Sequence, residues 1–120
     1  MSYLFLEYPK CTTCKKAKKF LDDNGIEYTD RHIVQDNPTG QELYQWMQLS
    51  GLPLKKFANS SGQLYREMNL KTILPQMDDD EAACLLLGMN GMLVKRPILV
   101  GETFVLTGFR EKEWKEALGL

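Results

Sequence analysis

Cys11-Thr12-Thr13-Cys14 sits where a short apolar run gives way to an amphipathic one, and this junction limits the fold more than any other feature of the 120-residue chain. Ser2 to Glu7 is short, aromatic and aliphatic and stops at Pro9, the pattern of a buried strand running into a turn. From Thr12 to Asn24 the apolar residues Cys14, Ala17, Phe20 and Leu21 recur at three- and four-residue steps. Asn24-Gly25 then supplies a C-terminal stop, which predicts a helix. A Cys-x-x-Cys at a strand-to-helix junction places the first sulfur on the helix N-terminus, where unpaired N–H groups and the dipole favour a thiolate. Cys11 is therefore the expected nucleophile. Cys14, one turn later, is near enough to attack a mixed disulfide on Cys11, so a dithiol/disulfide cycle is sterically available.

The rest of the chain continues the alternation of strand and helix. Ile26 to Val34 carries Ile26, Tyr28, Ile33 and Val34 between polar residues and predicts a second strand, before Asp36-Asn37-Pro38-Thr39 breaks it. Thr39-Gly40-Gln41-Glu42 has the capping-box form, with Leu43, Trp46, Met47 and Leu49 expected on one helical face. Tyr65, Met68 and Leu70 form a second short apolar group. Ala82, Leu85, Leu86 and Met89 form a third, after the acidic cap Asp78-Asp79-Asp80. Residues from about 39 to 91 thus read as a helical insert. Pro97 to Val100, Gly101-Glu102 and Thr103 to Leu106 predict a hairpin with a two-residue loop, and Arg110 to Leu118 returns to helical spacing through Trp114 and Leu118. The order is strand, helix, strand, helical insert, hairpin, helix. That is an α/β chain with no repeat or linker to divide it, read as a single domain over residues 1–120.

Composition narrows the function. Charged residues make up 26% of the chain, but the net charge is −1, which gives no footprint for direct nucleic-acid binding. The N-terminal residues Met1 to Pro9 lack a basic lead and a long apolar run, so the expectation is a cytoplasmic protein without a membrane segment. Three cysteines, two of them in one turn, are not the framework of a secreted disulfide domain. Cys84, within Ala82 to Leu87, and the isolated His32 offer no second pair to complete a zinc site, and no metal is expected. Cys84 is read as core, His32 as a surface or satisfied histidine, and Trp46 and Trp114 as core anchors. Haem attachment would need histidine where Lys15 stands. A cysteine phosphatase would need arginine at the position of Ala17 or Phe20, counted from the two cysteines in turn.

The helix start also carries Lys10, Lys15, Lys16, Lys18 and Lys19, although lysines there oppose the dipole. Positive charge beside a thiolate lowers its pKa and attracts anions. That role is assigned to Lys15 alone, with Thr12 and Thr13 of the same helix start, while Lys16, Lys18 and Lys19 read equally well as a solvated face.

Four segments together resemble the arsenate reductase-like group of the thioredoxin superfamily, which also contains the Spx-type transcriptional regulators. They are Tyr8 to Ala17, Asn59 to Leu70, Lys95-Arg96-Pro97-Ile98 and Gly108-Phe109-Arg110. The resemblance implies a thioredoxin/glutaredoxin-like four-stranded mixed sheet flanked by helices, with a helical insert. It implies that Pro97 is cis and faces the Cys11 loop, and that Arg96 is the oxyanion-binding arginine. A planar guanidinium suits that task, since it binds a tetrahedral oxyanion at two points. No cofactor is implied beyond an external thiol reductant such as thioredoxin, glutaredoxin or a low-molecular-weight thiol.

Two departures qualify the resemblance. The glutathione-linked arsenate reductases of the group use a second arginine where this chain has Asn59, which counts against arsenate itself. They also lack a thiol three residues after the active cysteine, whereas Cys14 is present here, as in the Spx-type proteins. The first expectation is accordingly a thiol-dependent oxidoreductase acting on a small oxyanion or disulfide, with Cys11 as nucleophile and Cys14 resolving. The second is a redox-sensing regulator that docks on the RNA polymerase α subunit.

Overall fold

A computed structural model describes residues 3–120; Ser2, where the first apolar run begins, lies outside them. Among the described residues, four strands form one mixed sheet in the order β2-β1-β3-β4. β1 (Tyr3–Glu7) pairs in parallel with β2 (Tyr28–His32), from Tyr3 opposite Tyr28 to Glu7 opposite His32. On its other side it pairs antiparallel with β3 (Ile98–Val100), Phe5 opposite Leu99, and β3 pairs with β4 (Val105–Thr107).

Side chains alternate across a strand, and β1 is apolar on both faces, so both must be covered. Phe5 points into a cluster with Ala17, Phe20, Leu21, Leu99 and Trp114, beneath α1 (Thr12–Asp23) and α6 (Glu111–Leu118). Trp114 is the hub: its ring lies 5.0 Å from Phe109 and 6.3 Å from Phe5, both edge-on, and its Nε1 donates to the Gly108 carbonyl at 3.1 Å. Leu6 points the other way, into a larger cluster with Leu43, Trp46, Met47, Phe57, Leu70 and Leu87 of the insert. Burying each such side chain contributes about 1.5–3 kcal/mol.

β2 is shorter than the sequence pattern suggested, because His32 turns the chain. Its Nδ1 accepts from the backbone N–H groups of Val34 and Gln35, at 3.1 and 3.0 Å, so the ladder ends and Ile33 and Val34 leave the strand. Ile33 stays buried, its N–H donating to the Glu7 carbonyl at 2.8 Å.

The insert carries α2 (Gly40–Ser50), α3 (Gln63–Glu67), α4 (Leu70–Ile73) and α5 (Asp80–Leu87). The capping box at α2 forms as expected: Thr39 Oγ1 accepts from Glu42 N–H at 3.1 Å, and Glu42 Oε1 accepts from Thr39 N–H at 3.0 Å. The inward face of α5 holds Cys84, as expected, but otherwise differs from the one expected. Ala83, Cys84 and Leu87 are buried, while Leu85 and Met89 are 57% and 78% exposed. The rotation follows from a contact that only glycine permits: a Cβ on Gly88 would lie 2.4 Å from the Gly40 nitrogen, and one on Gly40 would lie 2.5 Å from the Leu85 Cα. Leu49 and Met68, expected inside, are also exposed.

The β3–β4 hairpin has a four-residue loop, not two: Val100 is opposite Val105, and Gly101 N–H donates to the Phe104 carbonyl at 2.8 Å. Phe104 folds back over Gly101 and against Tyr3, ring centroids 5.9 Å apart, which removes it from the strand. None of the described helices is long and apolar enough to cross a membrane.

Candidate functional site

The site lies where β1 ends. After Glu7 the chain turns through Tyr8-Pro9-Lys10, and Cys11 N–H donates to the Tyr8 carbonyl at 2.9 Å. Cys11 is the N-cap of α1, with extended backbone, and its Sγ accepts the Cys14 backbone N–H at 3.3 Å. A sulfur thus occupies the position where a serine or aspartate oxygen usually satisfies a first-turn N–H. Such a cap favours the anion, since a thiolate accepts more strongly than a thiol.

The two thiols differ sharply. Burial by itself would raise the Cys11 thiol, but the donors from Cys14 (side chain and backbone N–H) and the proximity and charge of Arg96 outweigh it, leaving Cys11 below its ordinary value. Cys14 is fully buried, and burial pushes its thiol up to about 12 despite a backbone hydrogen bond at Tyr8. Cys11 is therefore the acidic, accessible sulfur, and Cys14 remains a thiol behind it.

Arg96 approaches from the far end of the chain. Ala58 bridges Val94, Asn59 N–H donates to the Leu93 carbonyl at 2.8 Å, and Lys95 N–H donates to the Phe57 carbonyl at 2.9 Å. Together these tie the strand-like approach to the insert. The Arg96–Pro97 peptide is cis, and the buried Pro97 accepts the Gly108 N–H at 2.8 Å. The guanidinium carbon lies 5.0 Å from the Tyr8 ring centroid. Its Nη1 is buried and has no hydrogen-bond partner among the described residues. A buried charged donor without an acceptor is costly, and an anion beside it would relieve that cost.

Of the other residues assigned to the site, Thr12, Thr13 and Lys15 are exposed at the helix start, and Thr13 lines the same groove as Arg96. The groups that set the Cys11 thiol are Cys14 and Arg96, and Lys15 is not among them. Lys18 stands away from the thiol with its side chain 41% exposed, where it bonds Asp30 at 2.8 Å and the buried Glu7 at 3.2 Å. Asn59 donates its side-chain amide to the Met92 carbonyl at 3.2 Å, a local tie that offers no charge to an anion. Tyr8 went unassigned as a support for Arg96, since nothing in a linear pattern couples an aromatic before Pro9 to an arginine at the other end of the chain.

Cys84 is enclosed in the insert, where burial and the carboxylates of Asp80, Asp79 and Glu81 push its thiol up to about 11. Among the described residues, no three His, Cys, Asp or Glu side chains come together as a metal site.

Residues 6–117 match the model of the ArsC family. The crystal structure of an ArsC family related protein from Bacteroides fragilis superposes with a TM-score of 0.91, at 56% identity and with 97% of each chain covered. The uncharacterized protein YusI of Bacillus subtilis is 47% identical, over 97% of this chain and 98% of that protein. The regulatory protein MgsR of the same organism is 30% identical, over 91% of this chain and 84% of that protein.

Proposed function

The chain belongs to the ArsC family, and from that membership we propose that it is a thiol-dependent oxidoreductase with Cys11 as nucleophile and Cys14 as resolving thiol. The observation that carries this reading is the split between two sulfurs in one helical turn, one capped and lowered, the other buried and pushed up to about 12.

With a disulfide substrate, the Cys11 thiolate attacks one sulfur, the substrate S–S bond breaks and its other half leaves as a thiolate that takes a proton. Cys14 then loses its proton and attacks Cys11 Sγ, forming the Cys11–Cys14 bond and releasing the second half as a thiol. Two electrons have passed to the substrate, and an external thiol reductant returns them by exchange at Cys11. The high pKa of Cys14 delays the second attack until Cys11 has become a disulfide sulfur and is no longer an anion, because part of the elevation comes from the Cys11 charge.

Arg96, with its unpartnered Nη1, is the group that would hold an oxyanion or a substrate carboxylate beside the sulfur, with Thr12, Thr13 and Pro97 shaping the space. Lys15 contributes long-range attraction. Arsenate is not the substrate proposed, because Asn59 is tied to Met92 and supplies no second cation.

The test is turnover against a panel of disulfides and oxyanions, coupled to thioredoxin, glutaredoxin or a small thiol. Cys11→Ser should abolish it, and Cys14→Ser should accumulate a mixed disulfide on Cys11. Arg96→Ala and Arg96→Lys should both weaken sulfate and phosphate binding by on the order of 1–3 kcal/mol, since lysine keeps the charge and loses the fork. Turnover in Cys11→Ser, or none in wild type across the panel, would reject the enzyme. The second reading, a redox-sensing regulator docking on the RNA polymerase α subunit, draws support from the likeness to MgsR, and a pull-down with that subunit tests it.

A further inference from the structure

A groove of about 1000 Å³ runs from Thr13 and Arg96 across the insert to the start of α6. Its walls carry Lys55, Lys56, Lys71, Lys95, Arg96 and Arg110, against a single acid, Glu113, whose carboxylate already faces Arg110 at 3.5 Å. The chain has 15 lysines and arginines against 16 aspartates and glutamates, so this segregation is local and not a reflection of net charge. Among the described residues, none of Lys55, Lys56, Lys71, Lys95 or Arg96 is ion-paired. The remaining walls include the apolar Leu52, Phe104 and Phe109.

We propose that this groove docks an acidic, partly apolar segment of a protein partner and so presents that partner's disulfide to Cys11. Three features select this occupant. The volume lies at the upper end of small-molecule pockets and far exceeds what one oxyanion fills. The cations are spread over elements distant in sequence, from the turn after α2 to the N-cap of α6, which suits charges spaced along an extended chain. The apolar walls favour side chains over a sugar–phosphate backbone, and a net charge of −1 gives a long polyanion no far-field attraction. The inference rests on the proposed thiol chemistry only for what the docked partner delivers; the docking itself needs no sulfur.

The test separates the two. A fluorescein-labelled peptide of about ten residues alternating glutamate and leucine is titrated into reduced wild type and into Cys11→Ser, beside the same peptide with glutamine for glutamate and a single-stranded oligothymidylate of equal charge. The acidic peptide should bind both proteins alike and weaken as salt is added. The pair Lys55→Glu/Lys56→Glu, and separately Lys71→Glu, should each weaken it, by about tenfold for the pair. Lys16→Glu/Lys112→Glu, at exposed positions outside the groove, should leave it unchanged, with thermal melts checking the fold of every variant. The proposal is overturned if the glutamine peptide binds equally, if the control reversals weaken binding as much, if the oligonucleotide binds more tightly, or if no peptide binds. Loss of turnover with binding intact would instead strike only at the thiol chemistry.

Discussion

The Arg96 guanidinium carbon lies 5.0 Å from the centroid of the Tyr8 ring, so the turn leading into Cys11 also positions the cation that lowers its thiol. An aromatic face attracts a guanidinium by about 0.5–2 kcal/mol, more when the pair is shielded from water. Tyr8→Leu should therefore weaken sulfate binding at Arg96 by roughly two- to thirtyfold, while Tyr8→Phe keeps the ring and the affinity. Calorimetric titration of both variants decides it; equal losses in Leu and Phe would show that the ring is not what holds Arg96.

The Cys11 thiol should titrate below the free-cysteine value of about 8.5. Thiolate absorbance against pH in Cys14→Ser isolates it, since serine can still donate to the sulfur. Arg96→Ala should move the titration upward by removing the cation that opposes burial, and Lys15→Ala should leave it nearly in place. A larger shift with Lys15→Ala than with Arg96→Ala would reverse the assignment.

Glu7 is a carboxyl only 5% exposed, placed under Lys18 and beside Asp30. Burial, together with the hydrogen bond to Asp30, pushes its pKa from 4.5 to about 7 despite Lys18. Burial acts on Asp30 in the same direction, but hydrogen bonds from Glu7 and Lys18 outweigh it and leave Asp30 below its ordinary range. The folded chain thus keeps a proton on Glu7 that the unfolded chain releases near 4.5. The stability it contributes is complete below about 4.5 and is lost as pH rises to about 7. Asp30 acts in the other direction and at lower pH. Urea unfolding at intervals across that window should show wild type losing on the order of 1–3 kcal/mol, and Glu7→Gln, which keeps an amide donor but no proton to lose, should flatten the slope. An unchanged slope in Glu7→Gln would place the titration elsewhere.

Gly88→Ala should destabilise the insert, because the added Cβ would sit 2.4 Å from the Gly40 nitrogen, a backbone atom that cannot swing aside. Overpacking of this kind costs about 1–3 kcal/mol. At Gly51, where nothing lies within 4 Å but φ is +69°, alanine should cost only the left-handed backbone term, roughly 1–2 kcal/mol. Thermal melts of the two variants compare them; a harmless Gly88→Ala would mean that α2 and α5 can separate freely.

Elements whose structure depends on local pattern were legible in the chain itself. The strand before Pro9, the helix from Thr12 with Cys14, Ala17, Phe20 and Leu21 inside, the capping box at Thr39 and the Trp114 helix all follow from periodicity and caps that neighbouring residues enforce. So does the cap position of Cys11, since it needs only a strand that ends and a helix that begins.

Other features arise where segments remote in sequence meet, and a linear pattern carries no record of them. The phase of α5 is set by the glycine contact with α2, which turns Ala83 inward and leaves Leu85 outside. The hairpin loop lengthens because Phe104 finds Tyr3 and Gly101 more favourable than the ladder. Lys18 looked like one of several solvated lysines until β1 and β2 placed two carboxylates beneath it. Local chemistry thus determined which sulfur caps the helix. Only the tertiary structure decided what surrounds it, because the Tyr8 ring, the Arg96 fork and the lysines of the insert are brought together by the closing of the sheet and the packing of the insert against it.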